Sequence, residues 1–533
     1  MSQYLKPQPR QLQEKINHIV VVMLENRSFD NLLGWLYSDR TPNNKQEFEG
    51  LNWNLWNPLN NIDSDGIPFI EKVPVEMNGQ KKKRYGKPVP NPTNFCLPDP
   101  DPGEGFLDTN DQLFSSYQVA QQYTPEPTNM GFVNNYQKAM LYGSYSFGDD
   151  PTNPRNIMKC FTPEQTPVLS ELAWSFAVCD HYHASVPSQT LPNRAFVHAA
   201  TSDGSVNNTP TPFTTSKTIY NQIQDAIDGG RTELSWGIFG NNPLPSSGKK
   251  REDDLPGKFG DDHFSLTRLC MTQLHDTRFD QNFGTIDDFL KRCKKGTLPS
   301  YSFIEPTYGG PDQNDQHPPA DIRPGEKLMA DLYNAIKKSP KFNETLFIIT
   351  YDEHGGCYDH VPPPGGASNP DAANTAGQHG FQFNRFGVRV PCVVVNPHIP
   401  AGLIARPSGY IPYDHTSIIK TVQNCFRLKG YLTQRDKNAP DLSGLLLLDT
   451  PRQKDIPRVK PLKWNTTIDE DHINDLHRII VTIVEALTGK KKADSADFME
   501  FIQKNYNRLF PGAVASGKKA KKKKKLKLTT KVK

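Results

Sequence analysis

At 533 residues the chain can bury a large core without a disulfide or metal staple, and ordinarily divides into domains of about 100–200 residues each. Hydrophobic residues make up 35% and charged residues 23%; 46 Pro, 37 Gly, 28 Phe and 19 Tyr exclude generic disorder and point to loop-rich globular structure. The net charge of +4 hides a tail, because residues 518–533 hold 10 Lys and no acid, leaving 52 basic against 58 acidic residues in the body.

The N-terminal segment MSQYLKPQPRQLQEK has no apolar stretch of the kind a secretory signal needs. No apolar run anywhere approaches the ~20 residues of a membrane span, so a soluble chain is expected. Eight cysteines without a CxxC pair read as reduced thiols.

Residues 18–24 (HIVVVML) are too short and too β-branched for a helix and predict a buried strand that ends in Glu25-Asn26. From about 41 to 130 the chain turns to Asn, Pro, Asp and Gly, a pattern of functional surface loops. Asn61, Asp63, Asp65 and Gly66 have partial calcium-loop spacing. Lys72 stands where the closing bidentate Glu is required, which excludes that reading. Residues 168–180 predict a helix running into a strand. Pro192 suits the first turn of a helix beginning near Asn193. Residues 325–338 predict an amphipathic helix through Leu328, Leu332 and Ile336, followed by a second buried strand, 345–351, ending in Asp352-Glu353. A third strand is expected over 388–396. Helices alternating with apolar strands imply a mostly parallel sheet covered on both faces. Ile473, Leu476, Ile480, Ile483, Val484 and Leu487 share one helical face, and Ser495 could cap a last helix carrying Phe498, Phe501, Ile502 and Leu509. The expected organisation is a body over 1–440, a helical appendage over 441–516 and a disordered polybasic tail over 517–533.

Ligands in open α/β sheets gather at the carboxyl ends of strands. Two strands end there in hard oxygen donors, Glu25 with Asn26 and Asp352 with Glu353, which suit one divalent cation; the alternative is that these groups simply terminate strands at a solvated edge. Thr190 precedes a helix N-terminus, where backbone N–H groups favour anions. Its hydroxyl is a candidate nucleophile, or else an ordinary turn threonine. Arg194 is placed to grip phosphate oxygens. His263, His317, His360 and His415 lie in turn-dense segments, as acid–base groups, further ligands or structural histidines. Gly355-Gly356 beside two carboxylates implies backbone crowding around a site.

The segments ENRSFDNLLG (25–34), TLPNR (190–194), NDQHP (314–318), ITYDEHGGCYDHVPPP (349–364) and FGVRVPCVVVNP (386–397) together resemble the phosphoesterase family of non-specific phospholipases C and acid phosphatases. The resemblance runs from about residue 17 to about 430. It implies an alkaline-phosphatase-like three-layer α/β fold with long loop insertions, and hydrolysis of phosphate esters. It further implies Glu25, Asn26, Asp352 and Glu353 as ligands of a divalent metal (Ca, Mg, Mn or Zn). Thr190 takes the nucleophile position, His317 that of a histidine serving the leaving oxygen, and His263 a looser site match. One departure stands out: plant members read DPGH where this chain reads Asp101-Pro102-Gly103-Glu104. A carboxylate there would repel a dianionic monoester more than a monoanionic diester, unless the site has moved.

The expected activity is a metal-assisted phospholipase C that releases diacylglycerol and a phosphorylated head group. A soluble acid phosphatase and an inactive lipid- or nucleic-acid-binding protein are the alternatives. The expected location is cytoplasmic or peripheral to a membrane, with export by another route left open. The Lys-rich tail offers contact with an anionic membrane surface or nucleic acid, or is simply solvated.

Overall fold

The computed structural model describes residues 13–84, 87–90, 94–116, 126–141, 153–208, 214–240, 264–309, 312–370, 376–464, 475–492 and 498–510. His263, Ile473, Ser495 and the tail over 517–533, all singled out above, lie outside the described residues. In chain order the strands used below are β1 (His18–Leu24), β2 (Trp56–Ile62), β3 (Pro68–Pro74), β4 (Ala177–Val178), β5 (Trp236–Gly240), β6 (Phe283–Thr285), β7 (Tyr301–Glu305), β8 (Thr345–Tyr351), β9 (Cys392–Val395) and β10 (Leu403–Ile404). The helices are α1 (Phe29–Leu33), α2 (Phe106–Phe114), α3 (Pro167–Ser175), α4 (Thr190–Ala199), α5 (Ile219–Asp228), α6 (Ile286–Lys295), α7 (Arg323–Lys338), α8 (His415–Cys425), α9 (Asp475–Thr488) and α10 (Phe498–Leu509).

Eight strands form one sheet in the order β6-β5-β7-β1-β8-β9-β4-β10. β1 lies at its centre, parallel to β7 on one side and to β8 on the other, with Ile19 opposite both Tyr301 and Leu346. A strand with helices over both faces has no solvated side, which is why HIVVVML and TLFIITY are apolar throughout rather than alternating. The two covered faces are visible on β5. Trp236 meets Tyr220 of α5 with ring centroids 5.1 Å apart, whereas Phe239, three residues on and so on the opposite face, meets Phe289 of α6 at 5.5 Å. The result is the expected three-layer α/β arrangement with a mostly parallel sheet.

Three expectations need correction. The strand expected over 388–396 is only Cys392–Val395, and it pairs antiparallel with both β8 and β4. Its carboxyl end therefore lies on the far edge of the sheet from those of β1 and β8. Its amino end, just after Arg389, lies on the near edge instead. The helix expected near Asn193 starts three residues earlier, at Thr190. The Asn- and Pro-rich stretch is not all loop, since it contains the β2–β3 hairpin and α2. Helices occur at both expected C-terminal places, α9 and α10, and Leu476, Ile480, Ile483 and Val484 of α9 pack into the same hydrophobic core as β1 and β8.

Candidate active site

Parallel pairing of β1 with β8 puts Leu24 beside Tyr351, so the residues that follow emerge side by side. The Asn26 backbone N–H donates to Asp352 Oδ1 at 3.0 Å, and Asp352 N–H returns a bond to Leu24 O at 3.1 Å. Asn26 itself has φ +53°, a left-handed conformation that asparagine tolerates better than most residues and that turns the chain sharply out of the strand. Crowding is real on the other side. A Cβ on Gly355 (φ +59°) would run into the Asn26 carbonyl, and one on Gly356 (φ +64°) would stand 2.5 Å from Gly103 O.

Thr190 is the first residue of α4, fully buried, with its Oγ1 3.3 Å from Glu25 Oε2 and 3.4 Å from Asn26 Oδ1. Pro192 falls in the first turn, where a missing N–H costs no helical bond. The Asn193 side chain gathers the loop before the helix. The Asn193 amide accepts from Val186 N–H at 2.9 Å and donates to the carbonyls of Val186, Ser188 and Gln189. Arg194, four residues after Thr190 and so on the same helix face, donates from Nε to Glu25 Oε1 at 2.9 Å and stands 3.3 Å from Asp352 Oδ2. Its Nη2 bonds the same Glu25 oxygen, while Nη1 is buried without a hydrogen-bond partner. The guanidinium thus serves the carboxylates first and keeps one donor in reserve.

His317 enters from the far side. Its Nδ1 donates to Pro318 O at 2.7 Å, so Nε2 presents a lone pair to the Asn26 amide nitrogen, 2.9 Å away. Burial lowers its pKa to about 4, leaving a neutral imidazole at neutral pH. Glu104 is also inside the site: its Oε2 accepts from the same Asn26 amide at 2.6 Å and lies 3.8 Å from His317 Nε2, and Asp101 Oδ1 is 3.8 Å from His317 Nδ1. The site has therefore not moved away from the altered DPGE segment. Asp315, missed from sequence though it lies within NDQHP, holds Glu25 N–H through its carbonyl at 2.9 Å. Its carboxyl is pushed up to about 7 by burial.

Burial also raises Glu25 and Glu353 well above the usual carboxylate range, against the pull of Arg194 on Glu25. Arg194, in turn, is desolvated but held charged by Glu25. Carboxyls from Glu25, Asp352, Glu353, Glu104 and Asp101 thus converge with one guanidinium among them. Glu353 Oε1 and Asp352 Oδ2 are buried with no hydrogen-bond partner among the described residues, the latter 3.3 Å from Arg194 Nε. Asp101, Glu104 and His317 each offer a donor atom within 4.8 Å of the others, a spacing compatible with a divalent cation, and the Asp352 and Glu353 carboxyls lie beside this group.

His415, His354, His360, Arg389 and Arg27 bond the segments around these residues to one another. His415, first residue of α8, has its Nε2 2.6 Å from Asp352 O and its Nδ1 3.2 Å from Tyr182 OH, so it fixes the backbone of a candidate ligand. His354 Nε2 lies 2.7 Å from Gln112 Oε1, with burial lowering its pKa to about 3. His360 belongs to a separate buried network. Asp30 accepts from His360 Nδ1 at 2.6 Å and from Arg389 Nη2 at 2.9 Å, and Arg389 Nε bonds Asp359 Oδ1 at 2.9 Å. The Arg389 guanidinium fills the space among these carboxylates, which makes the group a clamp between the ENRSFD and CYDHV segments. Arg27 does similar work, bonding Gln316 O at 2.7 Å and the Leu97 carbonyl, and so ties the loop before Asp101 to the loop of His317.

The family model described as the Phosphoesterase family matches residues 16–429. The chain belongs to the phosphoesterase family. It is a hydrolase acting on phosphoester bonds. This phosphoesterase is 30% identical over 503 residues to "Non-specific phospholipase C3" of Arabidopsis thaliana, covering 91% of this chain and 84% of that protein. It is 34% identical over 469 residues to "Non-specific phospholipase C1" of the same plant, covering 85% and 75%. "Phospholipase C B" of Mycobacterium tuberculosis (strain ATCC 25618 / H37Rv) is 24% identical over 507 residues, covering 89% and 84%. Among solved structures, a protein in the alkaline phosphatase superfamily from Vibrio parahaemolyticus aligns at 11% identity and TM-score 0.30, covering 52% of this chain and 65% of that one. The 2-O GAG sulfatase BT1596 aligns at 11% and 0.31, covering 55% and 71%.

Proposed function

We propose that this phosphoesterase is a phospholipase C, cleaving glycerophospholipids to diacylglycerol and a phosphorylated head group through Thr190. The observation that carries the reading is the meeting of the Thr190 hydroxyl, at a helix N-terminus, with Glu25 and Asn26 at the end of β1. The plant and mycobacterial relatives named as phospholipases C support the choice of substrate.

Thr190 Oγ1 attacks phosphorus, its proton passing to Glu25 Oε2, the carboxylate oxygen within reach. The bond from phosphorus to the glycerol oxygen breaks, and that oxygen takes up the proton that Thr190 lost. Water then displaces Thr190 from phosphorus and restores its hydroxyl. Arg194 Nη1 and the α4 N-terminus offer donors to the non-bridging oxygens. His317, neutral at neutral pH, accepts from the Asn26 amide through Nε2 and so orients Asn26 beside Thr190. A divalent cation held by Glu25, Asn26, Asp352 and Glu353 would supply Lewis-acid stabilisation of charge on the phosphoryl oxygens. Glu104 adds negative charge where a dianionic monoester would sit, which favours diesters. In this reading residues 1–440 are the catalytic body, 441–516 its helical appendage, and the Lys tail a contact to anionic lipid at about 1 kcal/mol per charge near the surface.

A panel of phospholipids, with p-nitrophenyl phosphorylcholine and p-nitrophenyl phosphate as soluble diester and monoester, tests this. Diacylglycerol release and a diester preference of at least about tenfold are expected, the like-charge repulsion at Glu104 being the cause. A chelator should lower turnover at least about 100-fold, with recovery on adding back a divalent ion. Faster monoester hydrolysis without diacylglycerol would instead identify a phosphatase.

A further inference from the structure

β2 and β3 form an antiparallel hairpin in which Ile62 faces Pro68, Asn60 faces Ile70, Pro58 faces Lys72 and Trp56 faces Pro74. Directly opposed residues share a face, so Trp56, Ile62, Pro68, Ile70 and Lys72 lie together on one side of the ribbon. The other side carries Asn57, Leu59 and Val73, all buried against the body. Towards the tip both sides of the ribbon clear the body: Ile62, Pro68 and Ile70 are exposed on the outer side and Phe69, opposite Asn61, on the other, whereas Trp56, Pro58 and Pro74 nearer the base are half-buried. Ile62 is 66% exposed, Ile67 59%, Phe69 44% and Ile70 67%. Among the described residues, the other large apolar or aromatic side chains so exposed are Leu107, Tyr410 and Tyr431, each alone in its segment. Single exposed side chains are ordinary; four within nine positions at a hairpin tip form a patch that needs a partner.

The chemistry around the tip narrows that partner. Asp63 closes the turn, its Oδ1 accepting from Asp65 N–H at 2.9 Å and Ile67 N–H at 2.8 Å, so the tip is a shaped loop. Lys72 sits on the apolar face over the Trp56 ring, at 4.4 Å. Further along the chain, the strand Gln80–Arg84 includes Lys81, Lys82, Lys83 and Arg84 in sequence, with Lys87 just beyond, and no acid occurs between residues 77 and 98. An apolar tip followed in sequence by a run of cations is complementary in composition to a bilayer interface containing anionic lipid. At its base the hairpin is fixed to the site. Asn57 donates to Asn129 O at 2.7 Å and accepts from Val133 N–H at 3.1 Å, while Asn129 donates to Asp359 O at 2.9 Å in the loop after Glu353.

We propose that the β2–β3 hairpin seats Ile62, Ile67, Phe69 and Ile70 in the interfacial layer of a phospholipid bilayer and holds the enzyme on its aggregated substrate. The proposal deepens the phospholipase reading and rests on it for the identity of the surface. The exposed Asp63 and Asp65 carboxylates keep the tip in the head-group layer rather than the hydrocarbon.

The full-length protein and its Ile62→Ser/Ile67→Ser/Phe69→Ser/Ile70→Ser variant are sedimented with vesicles of phosphatidylcholine and phosphatidylserine. Raised salt screens the attraction of the C-terminal lysines. The variant is expected to lose at least about tenfold in vesicle partition, as apolar burial requires, and to release diacylglycerol from vesicles correspondingly slowly. Its hydrolysis of monomeric p-nitrophenyl phosphorylcholine and its melting temperature are expected to stay as in the wild type. Vesicle binding unchanged in the variant would overturn the proposal. So would a wild-type dimer, seen by light scattering, that the variant breaks without any change in vesicle binding. If neither substrate is hydrolysed by the wild type, the phospholipase reading fails, while the sedimentation result still decides for or against the hairpin.

Discussion

Replacing Thr190 with alanine is expected to lower phosphodiester turnover by at least about 1,000-fold, the usual consequence of removing a nucleophile. Stability should change little, because the lost hydroxyl makes only two long hydrogen bonds, to Glu25 and Asn26, together worth about 1 kcal/mol. Thr190→Ser keeps an oxygen at the helix N-terminus and should retain measurable activity. Turnover rates beside thermal melts of the two variants separate chemistry from folding. A Thr190→Ala enzyme with near-normal turnover would remove the threonine from the mechanism.

The second large effect is on stability. Arg389→Met should destabilise the protein by about 3–5 kcal/mol, because it removes the cation from the buried Asp359 and leaves the buried Asp30 with His360 alone. Asp359 is already pushed up to about 6 by burial with Arg389 beside it, so losing the cation shifts it further toward the neutral form. The network joins the ENRSFD turn to the loop after Glu353, and activity should fall together with the melting midpoint. A loss below about 1 kcal/mol would show that the clamp is dispensable.

The contrast between β1, β8 and β9 explains what could be read in advance. β1 and β8 are continuous apolar runs with acidic ends, and burial on both faces makes such runs unmistakable; their parallel pairing then brings Glu25 and Asn26 to Asp352. The third run looks the same in composition, yet strand direction is set by pairing and carries no local signature. Its reversal turned an expected third carboxyl end into the placement of Arg389. The Thr190 helix was visible through Pro192, but its start depended on Asn193, whose amide organises the preceding loop through tertiary contacts. Arg27, Asp30, Asp315 and Arg389 all lie inside the segments that carried the family resemblance, and their roles are long-range bonds between loops, hidden until the loops are brought together. Glu104 stands out in the sequence as a departure; its bond to the Asn26 amide puts it in the site. The β2–β3 hairpin was hidden by its Asn, Pro and Asp content, which favours turns over strands.

The central claim is that Thr190 carries the phosphoryl group between two displacements. It is tested most directly by acid-quenching the wild-type enzyme during turnover of a phosphodiester labelled on phosphorus and mapping the label to a peptide by mass spectrometry. Label is expected on Thr190 in the peptide that spans residues 190–194, chased by excess unlabelled substrate. Label fixed to any other side chain would contradict it.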